Sequence, residues 1–169
     1  MTKIIRRASS IFIAVMVLVM SQISVFAYEN DTSPRENAPW LGEVTTTSLN
    51  LNIRANPSTS SSVVSTLKKG TYIQIIGQSG NWWKVRYTLS GKTGYVTKDY
   101  ITVFSHSYGY VNTQSLDLNL RNDNGVIIGT IPKGTYIPLI PKGDDMEGLV
   151  QVVCGQTIGW VSTQYFKYK

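Results

Sequence analysis

Leu49-Asn50-Leu51-Asn52-Ile53-Arg54 alternates apolar and polar side chains, and the pattern returns 67 residues later as Leu116-Asp117-Leu118-Asn119-Leu120-Arg121. Alternation of this kind is typical of a β-strand with one buried face. A second pair supports the repeat, because Gly94-Tyr95-Val96 returns as Gly159-Trp160-Val161. The sequence therefore predicts a tandem duplication of a module of roughly 60 residues, a size close to the lower limit for independent folding.

Short alternating runs separated by glycine turns continue through each copy. Ile73 and Ile75 alternate with Tyr72 and Gln74, and the glycines at 70, 77, 80 and 91 punctuate the first copy. No amphipathic helix is visible in either copy, and the 10 tyrosines and 14 glycines favour strands and turns. We therefore predict an all-β fold of two tandem small barrels.

The first 27 residues have the composition of a secretory signal peptide. Three cations and no acid precede an apolar run of ten residues, 11–20, and Val25-Phe26-Ala27 ends the segment with a cleavage-like sequence. We expect cleavage near Ala27-Tyr28, export of the chain and no stable membrane span after cleavage, since a spanning helix needs about 20 apolar residues. The alternative is an uncleaved anchor. Residues 28–42 are predicted to be a flexible leader.

Positive charge is concentrated in the middle of the chain. Without residues 1–27 the chain keeps 13 cations and 10 acids, a net charge of +3. Residues 42–102 alone carry +5, whereas 28–41 carry −2 and 103–169 are neutral. Because the chain is expected to be exported, this distribution favours an anionic envelope partner over nucleic acid.

Several motifs of the first copy together resemble the bacterial SH3 (SH3b) domain family. They are Leu51-Asn52-Ile53-Arg54-Ala55-Asn56-Pro57, Leu67-Lys68-Lys69-Gly70, Trp82-Trp83-Lys84-Val85 and Gly94-Tyr95-Val96. The resemblance covers residues 43–102 and, with more departures, 110–169, which leaves 103–109 as a linker. It implies an SH3-like barrel in each copy and binding of peptidoglycan or another envelope ligand.

Trp82 is the leading candidate for ligand contact. Neighbouring residues of a strand point to opposite faces, so Trp83 shares the core face with Val85 and Trp82 points outward with Lys84 and Arg86. An outward tryptophan beside cations suits stacking on sugar rings or peptide bonds, with contacts to anionic groups. The alternative is that Trp82 only covers the edge of the barrel.

Other candidates lie near the same predicted surface. Tyr95 and Tyr100 are expected to flank the groove, and Asn56 begins a short polar loop, 56–62, suited to lining it. Packing around a turn is the alternative for both tyrosines, and an ordinary solvated turn is the alternative for the loop. Arg54 and Arg121 recur at the same position, which favours a structural salt bridge or a carbonyl contact over a ligand role.

The sequence predicts neither catalysis, nor a cofactor, nor a metal site. Cys154 and His106 are the only cysteine and histidine, and neither lies in a catalytic motif, so a small buried thiol is the favoured interpretation and a minimal Cys-His hydrolase the minor alternative. The acidic cluster of Asp144, Asp145 and Glu147 lacks the pattern of a calcium loop.

The leading hypothesis is an exported, non-enzymatic binding protein that recognises cell-wall peptidoglycan or another anionic envelope polymer. The alternative is an extracellular adhesin or modulator whose partner is a protein, either a host surface protein or a wall hydrolase acting in trans. Since Leu149 stands where the first copy has Trp82, we expect residues 43–102 to carry most ligand binding and 110–169 to contribute stability or spacing.

Overall fold

The computed structural model describes residues 39–104, 107–141 and 146–168. The predicted signal peptide, most of the predicted leader, His106, and Asp144 and Asp145 of the acidic cluster lie outside the described residues. All described residues belong to one compact unit.

The first barrel is formed by seven antiparallel strands. In sheet order they run β3-β2-β6-β5-β4-β1-β7, and a single 3-10 turn, Lys98–Tyr100, precedes the last strand. The strands are β1 (Trp40–Val44), β2 (Leu51–Arg54), β3 (Val63–Leu67), β4 (Tyr72–Ser79), β5 (Trp82–Arg86), β6 (Thr93–Thr97) and β7 (Ile101–Phe104). The predicted all-β fold with SH3-like barrels is confirmed.

The second barrel is formed by seven further strands in two sheets, ordered β10-β9-β13-β12 and β11-β8-β14. Its pairings repeat those of the first barrel: β8 lies between β11 and β14 as β1 lies between β4 and β7. The strands are β8 (Tyr108–Val111), β9 (Leu118–Arg121), β10 (Ile127–Ile131), β11 (Tyr136–Pro138), β12 (Leu149–Cys154), β13 (Thr157–Ser162) and β14 (Phe166–Tyr168).

Each barrel encloses its own hydrophobic core, built from the inward residues of the alternating strands. Burial of these side chains supplies most of the folding free energy of such small barrels. The first core includes Trp40, Ile53, Ile73, Ile75, Trp83, Val85 and Val96, and the second includes Val111, Leu120, Ile131, Ile137, Val152, Cys154 and Val161.

Two predicted boundaries differ from the structure. Strand β1 begins at Trp40, inside the segment 28–42 that was predicted to be leader, because the Trp40 side chain packs into the first core. Strands β7 and β8 reach Phe104 and Tyr108, inside the predicted linker 103–109.

The alternating run around residue 49 is shorter than predicted. Leu49 is 79% exposed and lies in the turn before β2, which begins only at Leu51. Leu116, at the same position of the second copy, is 78% exposed. The alternating pattern alone extends the predicted strand two residues too far, to residue 49, because it does not show where the turn ends.

Among the described residues, no helix has the length and apolar character required to cross a membrane.

Candidate functional site

The two adjacent tryptophans of β5 face opposite sides of the first barrel, as predicted. Trp83 is 8% exposed and its ring meets that of Trp40 edge-on, with centroids 5.4 Å apart. Trp82 is half-buried on the outer side, paired across the sheet with Thr97. Strand β5 therefore supplies both a buried core residue, Trp83, and an outward aromatic side chain, Trp82.

Trp82 lines a groove of about 610 Å³ on the first barrel. One wall is the turn between β1 and β2, residues 46–50, and Trp82 and Tyr100 also line the groove. Tyr100 is 49% exposed, so part of its ring faces solvent. The remaining lining is mainly hydroxyl and amide side chains, from Thr46, Thr47, Ser48, Asn50, Asn52, Thr59, Asn81 and Thr97.

A carboxylate is fixed by hydrogen bonds inside this lining. Asn81 Nδ2 donates to Asp99 Oδ1 at 3.2 Å, and Thr97 Oγ1 donates to Asp99 Oδ2 at 3.1 Å. Arg54 is the cation that lines the groove. The groove thus offers aromatic faces, many neutral hydrogen-bonding groups, one anionic side chain and one cationic side chain. This lining suits an extended polar ligand with apolar patches, such as a sugar or a peptide chain.

Arg54 makes a carbonyl contact, one of the two structural roles that its recurrence predicted. Its Nη1 donates to the carbonyl oxygen of Ser61 at 2.7 Å, and Arg121 Nη1 donates to that of Gly125 at 2.8 Å. In each barrel the guanidinium therefore ties the loop after β2 or β9 back to its own strand.

Comparison with known proteins finds a family match for this part of the chain. Residues 49–102, which include Arg54, both tryptophans and most of the groove, match the bacterial SH3 domain family. These residues, which leave out strand β1, are the part of the first barrel that is similar to a bacterial SH3 domain.

Two curated Bacillus subtilis relatives match a longer part of the chain. YrvJ, which carries the name of an N-acetylmuramoyl-L-alanine amidase, is 28% identical over 134 residues, covering 73% of this chain and 25% of that protein. The cell wall-binding protein YwsB is 31% identical over 120 residues, covering 68% of this chain and 65% of that protein. The chain thus spans a quarter of the first relative and just under two thirds of the second.

Among solved structures, NlpC2 from Trichomonas vaginalis matches with 18% identity and a TM-score of 0.38, over 80% of this chain and 50% of that chain.

The structure puts the predicted ligand residues of the first barrel, apart from Arg86, in three locations. Trp82 and Tyr100 line the groove. Lys84 and Tyr95 pair with each other in the next row of the outer face, and Tyr95 pairs in turn with Arg54. Asn56 lies in the exposed loop, where its backbone N–H donates to Ser61 Oγ at 2.9 Å.

Arg86 lies away from the groove that Trp82 lines. Its positive charge acts on Cys154 of the second barrel, and its buried Nε has no hydrogen-bond partner among the described residues. The ligand role predicted for Arg86 from its alternation with Trp82 and Lys84 therefore has no support from its position beside the second barrel.

Sequence reasoning missed the turn between β1 and β2 and the acid Asp99. Thr45-Thr46-Thr47-Ser48, a polar run between two strands, was the available signal for the turn. Thr46 is only 7% exposed, and its buried hydroxyl has no partner among the described residues. Asp99 has no distinctive sequence signal, because its position depends on the hydrogen bonds from Asn81 and Thr97.

The second barrel presents a different surface at the corresponding positions. The positions of Trp82, Lys84 and Tyr95 in the first barrel are occupied in the second by Leu149, Gln151 and Trp160. Trp160 is only 5% exposed, and its Nε1 donates to Asp123 Oδ1 at 2.8 Å. The aromatic side chain at this position is therefore held in the structure and is largely inaccessible to a ligand.

Cys154 lies in the second core and is 5% exposed, which confirms the prediction of a small buried thiol. Burial raises the pKa of the thiol, and the nearby Arg86 charge offsets part of that rise. Because the thiolate is the nucleophilic form, a buried thiol with a raised pKa is poorly suited to catalysis. Glu147 is exposed, and no group of three metal-ligating residues occurs among the residues described.

The raised pKa of Cys154 predicts an alkaline loss of stability. Above the ordinary value of 9.0 the unfolded chain releases the thiol proton while the folded chain keeps it, so the free energy of unfolding falls with rising pH. Urea unfolding between pH 8 and 11 should show a steeper fall for the wild type than for Cys154→Ala. Parallel curves for the two proteins would contradict this prediction.

Proposed function

We propose that the chain is an exported, non-enzymatic cell-wall-binding protein, and that the groove of the first barrel holds a peptidoglycan or other envelope polymer. The observation that carries the proposal is the groove itself, in which the exposed parts of Trp82 and Tyr100 accompany many neutral hydrogen-bonding groups. Aromatic faces stack on the apolar faces of sugars and on peptide bonds, while hydroxyl and amide groups pair with polar substituents.

The relatives support the same class of partner. YwsB carries the name of a cell wall-binding protein, and YrvJ carries that of an N-acetylmuramoyl-L-alanine amidase. The match covers only 25% of YrvJ, so it assigns no catalysis to this chain. The buried thiol of Cys154 also argues against a Cys-His hydrolase.

Charge supports an anionic component in the ligand. Residues 42–102 have a net charge of +5, and Lys84 lies on the outer face in the row next to Trp82. Electrostatic attraction of this kind raises the rate of encounter with an anionic polymer and is screened by salt. We therefore expect the first barrel to carry most of the ligand binding and the second barrel to contribute stability or spacing.

Alanine in place of Trp82 should weaken binding to purified sacculi about tenfold, roughly 1.4 kcal/mol, because it removes a large stacking surface from the groove. The free energy of unfolding should change little, since the side chain is half-buried outside the core. Co-sedimentation measures binding, and urea unfolding measures stability.

Tyr168→Ala is the matched control, since Tyr168 is a 58% exposed aromatic of the second barrel and does not line the groove. It should bind sacculi as the wild type does. Full binding by a folded Trp82→Ala protein would remove the groove from the proposal. A wild-type chain that does not sediment with sacculi but captures a purified wall hydrolase would favour the alternative of a protein partner.

A further inference from the structure

A polar residue of the first barrel is buried where strand alternation places it outside. Gln74 points away from the first core, between Ile73 and Ile75, yet it is only 1% exposed. Its backbone N–H donates to the carbonyl oxygen of Gly155 at 3.1 Å, and the Gly155 N–H donates to Gln74 Oε1 at 3.4 Å. The turn between β12 and β13 therefore covers this face of the first barrel.

A leucine of the first barrel contributes to the core of the second. Leu89 lies in the loop between β5 and β6 and packs against the second core, not the first. Gly129 of β10 faces it closely, since a Cβ added there would lie 3.1 Å from Leu89 Cδ1. Without the first barrel, this part of the second core would lose an apolar neighbour.

Gly155 is fitted to the same contact. Its φ is 68°, in the left-handed region that favours glycine, and an added Cβ would lie 2.8 Å from the carbonyl carbon of Thr88. The neighbour is backbone, so it cannot move aside as the end of a flexible side chain would. The β12–β13 turn and the β5–β6 loop thus meet so closely that there is no space for a side chain at Gly155.

We infer that the two barrels unfold as one cooperative unit, joined by a junction that consists of Gln74, Thr88 and Leu89 of the first barrel and Gly129 and Gly155 of the second. Modules of this size bury a smaller fraction of their surface than larger domains do and are marginally stable alone, so contacts that bury a glutamine and share a leucine couple their unfolding. The junction also holds the tip of the β5–β6 hairpin, whose first strand carries Trp82.

The chain provides separate probes for the two halves. Three of its four tryptophans, Trp40, Trp82 and Trp83, lie in the first barrel, and the single cysteine, Cys154, lies in the second core. Tryptophan fluorescence therefore reports mainly the first barrel, and reaction of Cys154 with a thiol reagent reports the second. During urea unfolding of the full chain, we expect the two probes to give the same midpoint. Two separate midpoints would overturn the inference.

A junction variant tests the cause of the coupling. Leu89→Asp places a charge against the second core without changing the first, and we expect it to lower the midpoint for Cys154 exposure by about 1 M urea or more. Leu116→Asp is the matched control, since Leu116 is 78% exposed in a turn away from the junction, and it should leave both midpoints unchanged.

Lowered midpoints in Leu89→Asp, whether the two probes move together or apart, support the junction, whereas a wild-type midpoint for Cys154 overturns it. If Leu89→Asp fails to fold while Leu116→Asp folds, the loss itself supports the junction, and Leu89→Ala supplies the measurable midpoint. None of these measurements uses a wall polymer, so this inference and the proposed function can fail separately.

Discussion

Replacing Trp83 by alanine should remove about 3–5 kcal/mol from the free energy of unfolding. Trp83 is one of the largest side chains of the first core, is 8% exposed and contacts Trp40 edge-on at 5.4 Å. On the solvent side, Lys98 Nζ lies 4.4 Å from the centre of the ring and donates to Gln78 Oε1 at 2.8 Å. Truncation therefore leaves a cavity beneath a lysine and removes the edge-on contact with Trp40.

Urea unfolding of Trp83→Ala against Trp82→Ala measures this difference within one strand. The two substitutions delete the same atoms from adjacent residues, so only the side of the sheet differs. We expect a large loss for Trp83→Ala and a small one for Trp82→Ala. Equal losses, or a Trp83→Ala protein with the wild-type midpoint, would contradict the packing described above.

Alternation together with the glycine turns was enough to predict the all-β fold, and alternation alone predicted the side of the sheet on which Trp83 lies. It failed where a second element decides burial. Gln74 is polar and faces away from its own core, so its sequence context predicts exposure, yet the β12–β13 turn buries it. Such a contact is carried by residues more than 80 positions away, and no local pattern specifies it.

The candidate site was predicted only in part, because it too depends on contacts between distant segments. Trp82 and Tyr100 were identified because exposed aromatic side chains have a recognisable chemistry. The turn at residues 46–50 and Asp99 were missed, since the groove exists only when that turn, the start of β5 and the 3-10 turn meet in space. Arg86 was grouped with Trp82 by alternation alone, whereas the second barrel lies beside it.

A glycine in the sixth strand of each barrel is required by the close approach of another backbone. A Cβ at Gly94 would lie 2.5 Å from Ile53 Cγ2 and 2.9 Å from the Arg54 carbonyl oxygen. At Gly159 the corresponding distances are 2.7 Å to Leu120 Cδ1 and 2.8 Å to the Arg121 carbonyl oxygen. Strand β6 pairs with β2 and strand β13 pairs with β9 beside these glycines, and glycine is the residue that permits such a close approach.

Gly94→Ala and Gly159→Ala should each lower the free energy of unfolding by about 3 kcal/mol, because the added methyl group can be accommodated only by moving backbone in a packed barrel. Gly77→Ala is the control, since its Cβ would meet only Lys84 Cβ, at an ordinary 3.8 Å, and its stability should stay within about 0.5 kcal/mol of the wild type. Urea unfolding of the three variants measures the effect. A Gly94→Ala protein as stable as Gly77→Ala would show that the first barrel has more space around Gly94 than these distances allow. Because the barrels are inferred to unfold together, the loss caused by Gly159→Ala should also appear in the fluorescence of the first-barrel tryptophans.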